Sequence, residues 1–147
     1  ILLNDMAGRI STNRSYIDSY LTGGLTPPYL GVGSNDALCN STYADGVQLG
    51  DSGEWCRALR GAAETNAGSS VGAMIGGRGC IEELDPREYM VTVVWQGTTP
   101  IAEPPEEVAC GAGLYNFPAN SACADAGNED KCRRYVTTLV RTPDLSP

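Results

Sequence analysis

The sequence predicts an α+β domain in which a long N-terminal helix packs on an antiparallel sheet. Three observations carry this expectation. Residues 1–21 place apolar or aromatic side chains at Leu3, Met6, Ile10, Ile17 and Tyr20, the spacing of one helix face. From Cys80 onward the pattern changes to the period-two alternation of strands. Six cysteines, with no CxxC pair and no His in the chain, predict three disulfides and argue against a zinc site. The chain has 147 residues, which fits one domain.

The N-terminal segment reads as one helix over residues 1–21. Leu2, Tyr16 and Leu21 widen its apolar stripe, and Asn4, Asp5, Ser11, Thr12, Ser15, Asp18 and Ser19 fill much of the rest. Gly23-Gly24 supplies a left-handed stop. Such a helix spans about 31 Å. It opens mid-pattern at Ile1-Leu2-Leu3, with no Met and no capping residue. We therefore expect it to be the second half of a longer helix, over residues 1–23, whose hydrophobic lead has been removed.

Residues 24–80 are loop-rich. Thr26-Pro27-Pro28 blocks helix. Asp51-Ser52-Gly53-Glu54-Trp55 predicts a short helix over about 53–64. Asp51 or Ser52 would cap it, and Glu54 would sit near the positive end of its dipole. Trp55, Leu59 and Ala62 or Ala63 would then share a face. Six glycines between Gly61 and Gly79 leave little to bury, so cross-links must supply order there.

Residues 81–147 carry the predicted sheet. Ile81–Leu84 is a short strand and Asp85-Pro86-Arg87 a turn. Tyr89–Gln96 places Tyr89, Val91, Val93 and Trp95 on one face and Met90, Thr92, Val94 and Gln96 on the other. With both faces largely apolar, this strand belongs inside the sheet under a helix. Ile17, Tyr20 and Leu21 are expected to meet Val91, Val93 and Trp95 in the core. The Pro- and Glu-rich run from Pro100 to Glu107 is a solvated loop, and a last strand spans about Arg133–Thr142.

Charge and chemistry narrow the function. Ten basic against eighteen acidic residues give 10 − 18 = −8, the wrong sign for phosphate contacts or an anionic membrane surface. No nucleic-acid contact is expected. No stretch reaches the ~18 apolar residues of a membrane span. Without His the commonest general base is missing, and the carboxylates lie mostly in loops that fix no spacing. Neither an enzyme nor a cofactor is expected. Asp125–Asp130 is oxygen-rich but lacks the ligand alternation of an EF-hand, and reads as a surface turn. Asn40-Ser41-Thr42 matches a short glycosylation sequon. Arg133-Arg134 is too small for a nucleic-acid patch. Six cysteines allow many pairings and the sequence does not choose among them. Cys123 with Cys132, flanking a short turn, is the first to consider, followed by Cys39 with Cys56 and Cys80 with Cys110.

The order of these parts resembles the soluble domain of a type IV pilin, and within that group the PilV-type minor pilins. The matching residues are Asp51, Glu54-Trp55 and Leu59, then Gly79-Cys80-Ile81, Tyr89–Gly97, Cys110-Gly111 and Arg133-Arg134-Tyr135-Val136. They span about residues 50–141. The glycine-rich segment before Gly79 departs from the shorter turn frequent in that family.

The resemblance implies a class III signal peptide, processing with N-terminal methylation, and a transmembrane half-helix upstream. It implies an inner-membrane subunit of a Gram-negative bacterium with a periplasmic domain, later placed at the pilus tip. Other minor pilins, the major pilin and a tip adhesin would be its partners. Its role would be to prime pilus polymerisation by helix packing, and so to support adhesion and twitching motility. In that mechanism Leu2, Leu3, Met6 and Ile10 face neighbouring subunits. A type II secretion pseudopilin of the same fold is one alternative, and a secreted disulfide-rich binding domain is another.

Overall fold

The computed structural model describes residues 1–61, 65–66, 69–70 and 74–144. The chain is α+β. Helix α1 (Leu2–Thr12) leads into a 3-10 segment (Arg14–Tyr20), followed by β1 (Leu30–Gly31) and α2 (Asp36–Cys39). Helix α3 (Val47–Leu59) follows a 3-10 turn at Tyr43–Asp45. Strands β2 (Thr65–Asn66) and β3 (Ser69–Ser70) pair with each other. Strands β4 (Arg78–Asp85), β5 (Glu88–Gln96) and β6 (Arg133–Arg141) complete the list.

Four strands form one antiparallel sheet in the order β1-β4-β5-β6. Alternation fixes the registers, Ile81↔Val91 and Val93↔Val136 among them. Strand β5 is interior, as its two apolar faces predict. Tyr89, Val91 and Val93 join the main core with Ile81 and Val140, while Trp95 packs on its border. Val94, on the opposite face, joins a smaller cluster of Cys80, Cys110 and Tyr115. Helix α1 lies over β5 and β6, and α3 packs beside it.

The N-terminal helix is shorter than its sequence stripe predicts, with eleven residues instead of about twenty-one. Asn13, at φ −110 and ψ 38, breaks it, and Tyr16 is also non-helical. The cause is local chemistry. Ser11 and Thr12 hydroxyls bond back to the carbonyls of Ala7 and Gly8, which loosens a helix end. Asn13 Nδ2 donates to Tyr20 Oη at 2.9 Å, holding the chain in a tighter winding. The break still delivers Ile17 and Tyr20 into the core, with Leu21 at its border.

The second helix also differs. It begins at Val47, so Asp51 and Ser52 lie inside it as buried residues and cap nothing. A capping box between Thr42 and Asp45 organises the turn before it. Gly46, at φ 123, then redirects the chain. The helix ends at Leu59, and the predicted extension over Ala62, Ala63 and Glu64 lies outside the described residues, as does much of the glycine-rich run.

Disulfides join Cys39 to Cys56, Cys80 to Cys110 and Cys123 to Cys132. They staple α2 to α3, the start of β4 to the loop after β5, and the last part of that loop to the foot of β6. Gly79 marks a close approach. A Cβ there would sit 2.2 Å from the Trp55 ring, so the indole rests directly on the strand backbone.

Candidate functional site

The face assigned to neighbouring subunits turns inward. Met6 and Ile10 are 0% exposed and belong to the chain's own core. Leu2 and Leu3 are half-buried against the same core. The Trp55 indole donates to the Leu2 carbonyl at 3.0 Å, which pins this end of α1 to α3. A stripe built from one helix face cannot cover a sheet and a neighbour at once, and here the sheet and α3 take Met6 and Ile10 entirely and cover Leu2 and Leu3 in part. What α1 leaves outside is polar, including Asn4, Asp5, Ser11 and Thr12, with only Ile1 apolar and exposed.

The densest polar arrangement lies in the α1–α3 seam. Arg9 forms ion pairs with Asp5 at 3.1 Å, Asp51 at 2.9 Å and Glu54 at 2.8 Å. Asp51 is buried inside α3 and accepts from Tyr20 Oη at 2.6 Å. The Tyr43 hydroxyl sits 3.0 Å from both Asp51 Oδ1 and Glu54 Oε2 and accepts from Arg9. Burial opposes the charge of Arg9, but the hydrogen bonds it donates to Asp5, Glu54 and Asp51 outweigh it and hold its pKa above the ordinary value. Tyr20 is pushed up to about 12, first by burial and then by its bond to Asp51. Glu54 is held below the ordinary range by Arg9 and Tyr43. Each carboxylate is committed to a partner within the cluster, so the arrangement acts as a clamp between helices. A shallow groove lined by Asn4, Gly8, Thr12, Asn13 and Val47 runs beside it.

Two further arginines anchor the sheet. Arg78 is buried between the rings of Tyr29 and Tyr115, 5.2 and 5.1 Å from their centroids. Arg133 is buried too. It pairs with Asp130 at 2.6 Å and donates to the carbonyls of Val108 and Cys110, tying the loop before β6 to the strand. The oxygen-rich turn Asp125–Asp130 thus spends its last carboxylate on Arg133. Arg134 points to the other face and donates to the carbonyls of Lys131 and Thr99. Asn40 of the sequon follows α2 and is exposed.

Of these groups, only Asp5 and Arg9 were recognisable as an i, i+4 pair on one helix. Asp51, Tyr43 and Arg78 meet partners far along the chain, which no local pattern announces. Among the described residues no three His, Cys, Asp or Glu side chains are set to hold a metal ion, and no helix is long and apolar enough to cross a membrane. No protein-family model, no characterised relative and no solved structure matches the chain.

Proposed function

We propose that the chain is the globular domain of a type IV pilin-like assembly subunit, a minor pilin that joins other minor pilins in priming or tipping a pilus. The observation that carries this reading is the order of parts. An N-terminal helix lies over an interior strand of an antiparallel sheet, a loop with a second helix joins them, and disulfides staple the loop and the C-terminal region. Disulfides at these positions fit an oxidising compartment such as the periplasm. The neighbour contact cannot use Met6 or Ile10, which the domain's own core covers. It falls instead on surfaces outside that stripe. A type II secretion pseudopilin shares every feature that supports this reading.

The test is pairwise mixing of this domain with the soluble domains of minor and major pilins, read by size exclusion with light scattering. A discrete complex of fixed stoichiometry with one or two minor pilins is the expected result. The same covered helix stripe favours a second reading, a self-sufficient disulfide-rich binding domain. Absence of a complex with any pilin would support it over the first.

A further inference from the structure

Strand β6 ends the sheet, and among the described residues nothing pairs with its outer side. The register shows which groups are left open. Gly97 N–H donates to the Cys132 carbonyl and Thr142 N–H to the Arg87 carbonyl, with β5 and β6 paired without a shift between them. Hydrogen-bonded positions in an antiparallel ladder recur every second residue. Even-numbered residues from Cys132 to Thr142 therefore face β5. Tyr135, Thr137, Leu139 and Arg141 direct their N–H and C=O groups outward.

Edge strands are ordinarily blunted by shortness, proline, charged side chains or a bulge. Strand β6 is nine residues long with no proline or bulge, and its only charges are Arg133 and Arg134 at one end and Arg141 at the other, which leaves Tyr135 to Val140 uncharged between them. Tyr135, Val136 and Leu139 are also exposed along it. The edge is complementary to itself. An antiparallel pairing centred on Thr137 sets Tyr135 opposite the second copy's Leu139, and Leu139 opposite its Tyr135. All of these positions carry the open donors and acceptors. Registers shifted to neighbouring centres would set Tyr135 against Thr137 or Arg141 and lose the apolar match. The centred register also sets Arg133 against Arg141. Each already has a carboxylate at 2.6 Å, Asp130 for Arg133 and Glu88 for Arg141, which blunts the like-charge cost.

We propose that β6 is a self-association edge, pairing antiparallel with β6 of a second copy to join two four-stranded sheets into one. This is independent of the pilus reading. The experiment is sedimentation equilibrium of the chain over a concentration series into the millimolar range, with two variants. Leu139→Lys alters an exposed side chain and should raise the dimer dissociation constant about tenfold or more, with the thermal midpoint of the dilute monomer unchanged. Thr137→Cys lies at the two-fold axis and should cross-link between chains with a short bismaleimide, while Ala102→Cys, in the exposed loop, should not. A monomer throughout the series would overturn the proposal. So would a dimer whose affinity Leu139→Lys leaves unchanged, or equal cross-linking at both cysteine sites.

Discussion

Tyr20 donates its hydroxyl proton to Asp51 across 2.6 Å of buried space, joining the end of the N-terminal segment to the middle of α3. Replacing Tyr20 with Phe keeps the ring in the core but leaves a buried carboxylate oxygen short of a donor. The expected cost is about 1–3 kcal/mol in urea unfolding. Asp51→Ala should cost more than Tyr20→Phe, because it also removes a partner of Arg9 and Tyr43. Equal losses would mean that the Arg9 contacts add nothing to the clamp.

Glu82 supplies a pH test of opposite sign to an ordinary ion pair. Burial raises its pKa, and its Oε2 has no hydrogen-bond partner. A carboxyl whose folded pKa is raised binds its proton more tightly in the folded state. Stability therefore falls as pH rises from the unfolded carboxyl range near ~4.3 through the folded pKa, and the penalty is complete above it. Glu82→Gln should raise the thermal midpoint at pH 7 and leave it nearly unchanged at pH 3. Scanning calorimetry at the two pH values would decide.

Glycine positions divide sharply. Gly79→Ala would drive a methyl to 2.2 Å from the Trp55 indole, and should cost about 1–3 kcal/mol or displace α3. Gly8 sits in α1 with open space around it, so Gly8→Ala should stabilise by about 0.5–1 kcal/mol. Chemical denaturation of both variants checks the pair, and the two should shift the midpoint in opposite directions.

A charge at Met6 tests the corrected role of the N-terminal stripe. Met6→Glu places a carboxylate in a fully buried site and should cost more than about 3 kcal/mol. Circular dichroism of the isolated domain should already show the loss. A stable, folded Met6→Glu variant would instead return this face to the surface.

Removing the Cys80–Cys110 bond opens a link across 30 residues between β4 and the loop that carries Tyr115. The paired serine variant should lose about 2–4 kcal/mol. The Cys123–Cys132 bond closes a shorter loop of separation 9, and its removal should cost less. Urea midpoints of the two variants give the order.

The sheet was legible because its signal is local. Tyr89–Gln96 is a run of β-branched and aromatic residues and Asp85-Pro86-Arg87 supplies a turn, so neighbouring residues specify β5 and the later part of β4, which the structure extends back to Arg78. Helix ends were less legible. The 1–21 stripe marks which side chains go inward, and Ile17 and Tyr20 obey it even though the backbone between them is not an α-helix. Periodicity reports burial, whereas Ser11, Thr12 and Asn13 decide winding through their own hydrogen bonds. The same distinction applies at Met6 and Ile10. Met6 and Ile10 were rightly read as apolar positions that must be covered, but a stripe does not say by what. Asp51 looked like a cap because acids favour helix starts, and its tertiary partners Arg9 and Tyr20 come from a segment no local rule connects to it.

The bond from the Trp55 indole to the Leu2 carbonyl has a mechanical consequence. A pull applied at Ile1 would meet α3 first, through Trp55 and then through the Arg9 clamp. Helix α3 is itself locked to α2 by Cys39–Cys56. Tension entering there would be shared with a covalently braced helix as well as with the contacts that hold α1 on the sheet.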